Sequence, residues 1–190
     1  MPGAPVDLRR TRLTEATLHQ LRESLQNRFG DADFLEAEFA HYANFLGAGF
    51  TRSARFSWAN FAEGARFGRA AFVQGAHFHE TTFAQEADFA KATFAQDADF
   101  AGATFAKDTN FYRARFDGGA HFNWAFFAQE ATFIGVTCAR EAYFAGATFR
   151  EGWVVTGLRC ATDLSLFRAR FGLRRHPLSE RDRLVLAGQA

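Results

Sequence analysis

Residues 87–111 read "ADFAKATFAQDADFAGATFAKDTNF", and their Phe residues fall at 89, 94, 100, 105 and 111, in steps of five, six, five and six. A helix advances 100° per residue, so steps averaging 5.5 would scatter these rings around its axis instead of aligning them. An apolar pair at i−2 and i with a polar residue between, as in "ATF" and "ADF", is the period-two signature of a short strand with one buried face. Each strand is about three residues long on this pattern and must be followed by a turn. "AG" in the five-residue steps and "AQD" and "AKD" in the six-residue steps are the turn candidates.

The same slot runs in both directions from this stretch. From Phe34 to Phe171 it recurs 26 times without a slip; Phe fills 22 slots, and Cys138, Val155, Cys160 and Leu166 fill the rest. Ala stands two residues earlier in 20 of the 26, with Thr81, Thr109, Val136, Trp153, Leu158 and Leu164 departing. Both positions therefore face one core. Strands this short are marginal as isolated hairpins, so they must stack coil upon coil in a solenoid. Burying one Phe contributes roughly 2–3 kcal/mol, an upper figure because unfolded chains are already compact. Twenty-two of them offset much of the ordering entropy.

The spacing is compatible with two coils: a flattened one of eleven residues with two sides, or one of 22 residues with four. Four sides are favoured, because two sheets only one short strand wide leave little room for turns. The two cysteines discriminate. In a 22-residue coil Cys138 and Cys160 are neighbours in adjacent strands, with Cα atoms about 4.8 Å apart; in an eleven-residue coil they lie two coils apart, at roughly 9.6 Å, with Phe149 between. Reduced thiols are expected in either case.

The unit Ala-(Asp/Asn/Thr)-Phe-X-X, running over residues 32–171, resembles that of the pentapeptide-repeat proteins, A(D/N)LXX with Leu or Phe at its centre. The sixth residue in alternate units departs from that pattern. The resemblance implies an all-β solenoid, a right-handed quadrilateral β-helix with about 22 residues per coil and the extra residue absorbed at two opposite corners. On that reading 1–28 is an N-terminal helical cap, 29–172 the repeat β-helix and 173–190 a C-terminal cap or dimerisation helix. Residues 34–171 make a little over six coils, a rod of roughly 30 Å. The resemblance further implies a non-catalytic scaffold or protein-interaction module. Some members of the family mimic duplex DNA and act on bacterial DNA gyrase, with strongly negative rods that dimerise through the C-terminus. Between 29 and 172 this chain carries sixteen Asp and Glu against thirteen Lys and Arg, and Arg55, Arg66, Arg113 and Arg115 break the acidic surface. That is poor mimicry.

An open solenoid needs covered ends. Leu18, Leu21 and Leu25 stand at helical spacing after a capping box of Thr17 and Gln20. Downstream, Pro177 and then Ser179 as N-cap introduce a short helix with Leu184 and Leu186 apolar, fit to cap or to form a homodimer.

The composition excludes more than it suggests. Twenty-five Phe in 190 residues, against three Tyr and three Trp, mark a repeated core position, and a net charge of +1 gives no global attraction for nucleic acid or anionic membrane. No apolar run reaches eighteen residues and the N-terminus lacks the apolar core of a signal peptide, so a soluble, cytoplasmic protein is expected. Two cysteines are too few for a disulfide framework and too far apart in sequence for a zinc pair.

With a 22-residue coil the side chain before each slot points outward, and four columns form. The column on the Phe34 side reads Asp33, Arg55, His77, Asp99, His121, Tyr143, Ser165, and its first six members are the candidate interaction surface. Carboxylates and imidazoles one coil apart could hold a proton or an ion; a solvated face with alternating charge that suppresses edge aggregation is the plainer reading. A second column is Asn44, Arg66, Asp88, Asn110, Thr132, and a third carries Thr82, Thr104 and Thr148 interrupted by Phe126. Glu86, Asp97, Asp108, Glu130, Glu141 and Asp163 gather at the six-residue corners, about one carboxylate per site, too few for calcium. No phosphate loop, metalloprotease helix or activated nucleophile is present in the sequence. The expectation is a protein partner without enzymatic activity, cofactor, metal or membrane. Nucleic acid is disfavoured, its single-stranded form resting only on Trp58, Tyr112 and Trp124 in turns near Arg113 and Arg115.

Overall fold

Because each Phe slot opens a new side, four slots close one circuit. In the computed structural model, which describes residues 1–172, the circuits stack into four parallel sheets. In chain order the first full circuit runs through Ala32–Asp33 on face I, Glu38–Phe39 on face II, Ala43–Asn44 on face III and Gly49–Phe50 on face IV. The next circuit lies in register 22 residues on, with Ala32 opposite Ala54, Glu38 opposite Asn60, Ala43 opposite Ala65 and Gly49 opposite Ala71. Cys138 is the register partner of Cys160 in the adjacent strand, which excludes the eleven-residue coil.

The Phe rings fill the tube as four columns. Down face I, Phe56, Phe78, Phe100 and Phe122 stack with centroids 4.8–4.9 Å apart and planes within 3°. Between columns the rings meet edge to face, as Phe67 and Phe89 do with Phe78 at 85–88°, and both arrangements suit the aromatic quadrupole. The Ala two residues before each slot is buried as well, except Ala169 at the far end. It is small enough to let strands from neighbouring sides approach at the corners.

The two step lengths make two kinds of corner. A five-residue step closes with a backbone hydrogen bond from the third residue after the slot to the slot carbonyl, as Ala37 donates to Phe34 at 3.0 Å. The second residue after the slot then takes positive φ: Glu36, Trp58, Glu80, Trp124 and Arg168 at the I/II corner, Arg69, Lys91 and Arg113 at the III/IV corner. Gly47, Gly102, Gly135, Gly146 and Gly157 take the same position in other coils, where that conformation is free of steric cost. The six-residue steps lie at the II/III and IV/I corners, so the extra residue is absorbed at two opposite corners. The Asp or Asn before many slots also has a local cause. Asp33, Asn44, Asp88, Asp99 and Asn110 each accept the backbone N–H two residues on, at 2.9–3.2 Å, which secures the tight turn that follows.

The end near the N-terminus holds more than a helical cap. Val6–Asp7 joins face I and Arg12–Leu13 joins face II, and Arg28–Phe29 joins face IV. The helix α1, Glu15–Ser24, takes the place of the missing face III strand and packs against Ala43–Asn44 with Leu18 buried. Its N-cap is Thr14, whose Oγ1 accepts from the Thr17 N–H at 3.2 Å. Thr17, the expected cap, lies in the first turn instead, with Glu15 ahead of it favourably placed at the positive end of the helix dipole. Faces I and II therefore count eight strands each, a rod of about 34 Å at the usual strand spacing. Phe29 is buried as a further slot. It stands five residues before Phe34 where the alternation asks for six, and its register to Phe50 is 21.

The far end changes its packing. Trp153 occupies an Ala position and stacks on Phe149 at 4.9 Å and Phe171 at 5.1 Å, over the slots where Phe has given way to smaller side chains. The expected C-terminal cap, 173–190, lies outside the described residues.

Candidate functional site

The strand register aligns the expected column on face I: Asp33, Arg55, His77, Asp99, His121, Tyr143 and Ser165 are successive partners, with Asp7 above them. Their side chains do not form one relay. Arg55 donates to Asp33 at 3.1 Å, and the Arg9 guanidinium stands 3.9 Å from the same carboxylate. The other Asp33 oxygen is engaged by the turn, as is one oxygen of Asp99. His77 and His121 fold back over Gly75 and Gly119, where an added Cβ would come within 2.8 Å of each Nε2. The His121 ring stacks on Tyr143 at 5.4 Å. The column thus divides into an Asp33–Arg55 pair, an isolated His77, Asp99 with its turn, and a His121–Tyr143 stack.

Two exposed tryptophans project from the I/II corner beside this column. Trp58 is 51% exposed, and its indole N–H donates to Glu80 at 3.0 Å while His79 meets its ring edge to face. Trp124 is 72% exposed. Its ring covers the Cα side of Gly146, where a Cβ would sit 2.6 Å from the indole. Within the segment 121–127, His121 lies outward on face I, Trp124 at the corner and Phe126 outward on face II, between Thr104 and Thr148. One coil on, Tyr143 continues face I. Two neighbouring coils therefore place four aromatic or heteroaromatic side chains on one edge. Phe126, read from sequence only as a break in a Thr column, is the member that sequence reasoning missed; its signal was a second Phe immediately before a slot.

Of the basic and aromatic residues expected together, Tyr112 and Arg113 are in contact, and the tryptophans lie apart from them. Tyr112 and Arg113 sit at the III/IV corner, with the guanidinium 5.1 Å from the ring, diagonally across the coil from Trp58 and Trp124. Arg115 faces outward on face IV and is paired with Asp117 at 2.7 Å. The acids divide between the other two corners. Asp97 accepts from the Gly119 N–H at 2.8 Å and Asp108 from the Glu130 N–H at 3.1 Å, each binding its own coil to the next. Among the described residues no group of three His, Cys, Asp or Glu is placed to hold a metal ion. At the N-terminal end Arg9 holds the Asp7 carboxyl below its ordinary range by hydrogen bonding, and Arg10 does the same for Glu36. A groove of about 380 Å³ runs between α1 and face III, lined by Glu15, Leu18, His19, Arg22 and Tyr42. No helix among the described residues is long and apolar enough to cross a membrane.

The family model described as pentapeptide repeats (9 copies) matches residues 73–115. Its span falls in the middle coils, where the Phe slots are unbroken. No curated protein and no solved structure matches the chain.

Proposed function

Since this is a pentapeptide-repeat protein, a repeat scaffold by its family and its β-solenoid, we propose that it works without catalysis as a docking rod for a protein partner, held at the edge between faces I and II. Trp124 is the anchor, with His121, Phe126 and Tyr143 around it and the rest of the face I column, Asp33, Arg55, His77 and Asp99, as the polar surround.

The exposure of Trp124 carries this reading. Its backbone is fixed on both sides by the sheet ladder, and its indole N–H finds no acceptor among the described residues, whereas that of Trp58 is taken by Glu80. A large ring on a rigid backbone loses little conformational freedom on binding, and Trp and Tyr are the residues that most often dominate protein interfaces. The mixed signs of the neighbouring column and the remoteness of Arg113 favour a protein over a polyanion.

A photo-crosslinking residue at position 124 should join a discrete polypeptide in extract from the source cells, and one at position 115 on face IV should not. Trp124→Ala should then weaken capture of that polypeptide by at least about tenfold, the loss typical of an interface anchor, while Arg115→Ala leaves it unchanged. Equal crosslinking from both positions would remove the reading. The protein should leave DNA gyrase supercoiling unaffected at micromolar concentration; dose-dependent inhibition would put DNA mimicry in its place.

A further inference from the structure

The only two cysteines of the chain replace Phe in successive slots of face IV and are register partners in adjacent strands. Cys138 is buried and Cys160 is partly exposed, and both thiols are free. An opening of about 350 Å³ on face IV is lined by both cysteines together with Arg115, Asp117, Thr137 and Arg159. Arg115 is engaged by Asp117 at 2.7 Å. Arg159 is exposed and has no ion-pair partner among the described residues, so its guanidinium is free to meet an anion at the mouth, with Asp163 the nearby opposing charge.

We propose that Cys160 and Cys138 form an exchange-active dithiol that reduces small anionic disulfides, with Cys160 attacking and Cys138 resolving. Register partners on parallel strands have Cα atoms about 4.8 Å apart, inside the range a disulfide spans. Both cysteines line the opening, and Cys160 is the more exposed of the two. The hydrogen bond from the Cys138 thiol holds Cys160 below the ordinary thiol value, against burial and the nearby Asp163. That same bond, burial and repulsion from Cys160 push Cys138 up.

The Cys160 thiolate attacks one sulfur of the disulfide RSSR, forming a Cys160–SR bond and expelling RS⁻. Cys160 is then neutral, so the bond and the repulsion that held the proton on Cys138 are gone. The Cys138 proton passes to the departed thiolate, and the Cys138 sulfur attacks Cys160, forming the protein disulfide and expelling the second RS⁻. One disulfide is reduced to two thiols and the two protein thiols are oxidised to one disulfide.

The full chain is treated with the dianionic 5,5′-dithiobis(2-nitrobenzoate) and, separately, with the dicationic cystamine. Native protein should release two nitrothiobenzoate groups per chain and leave a product lighter by two hydrogen atoms, with no adduct. This wild-type readout needs no variant to fold. Cys160→Ser should slow the first release by at least about tenfold, since only a thiolate attacks. Cys138→Ser, with Cys138→Ala as its second form, should release one group and keep a stable adduct on Cys160. Arg159→Ala should slow the anionic reagent severalfold and leave cystamine unaffected. The attack rate should fall with decreasing pH at a midpoint below that of free cysteine. A lasting adduct on the wild type, or reaction of both thiols only as fast as the protein unfolds, would overturn the assignment.

Discussion

The coils from Phe56 to Phe127 and those from Phe133 to Phe171 share one backbone and differ in what fills it. In the first region every slot is Phe, and rings 22 residues apart stack at 4.7–5.0 Å with planes within 6°. In the second, Phe133 lies below Val155 and Phe144 below Leu166, and face IV ends in two cysteines, with Trp153 entering from an Ala position. The strand register remains 22 throughout. The spacing of apolar residues, held by the ladder, determines the coil, and the identity of the ring determines how strongly each coil is bound to the next.

Phe89→Ala should have the largest effect. It removes a fully buried ring from the centre of a column, at a cost of about 3–5 kcal/mol in equilibrium urea unfolding; a loss near 1 kcal/mol would mean that the columns are not the main source of cohesion. Hydrogen exchange should then resolve the two regions directly, with sheet amides of 149–171 exchanging at least about tenfold faster than those of 78–122, since fewer buried contacts must open. Uniform protection would erase the distinction. Thr81→Val tests the polar exception inside the uniform region. The buried hydroxyl donates to the Phe56 carbonyl at 2.7 Å, and its loss should cost about 1 kcal/mol, because that carbonyl keeps its bond from Ala59. Phe171→Ala, in the same kind of slot as Phe89 but 48% exposed, should cost about 1 kcal/mol or less, in proportion to the area it hides.

The regular coils were legible in the sequence because one residue type marks each side, and a break in the count would have shown at once. Phe29 escaped the count because the helix before it restarts the alternation. Val6 and Leu13 escaped because their strands carry neither the Ala nor the Phe that identifies the others. The face I column was legible through its period of 22, but not its division, which depends on Asp33 and Asp99 bonding to their own turns and on glycines at 75 and 119 that admit the imidazoles. The Trp124 edge joins residues of two faces around a corner. A period reports what lies one coil away and is silent on what lies around the bend.

At the N-terminal end three sides finish in strands and the fourth in α1. A parallel sheet left open is a template, and a four-sided one extends only if all four sides accept a strand together. The helix, roughly 10 Å across, cannot act as a strand and holds any incoming coil away from face III. A second rod arriving there would meet a stopper. Polymerisation through successive end-to-end additions needs two open ends, so a molecule closed at its N-terminal end cannot extend coil upon coil into a fibre.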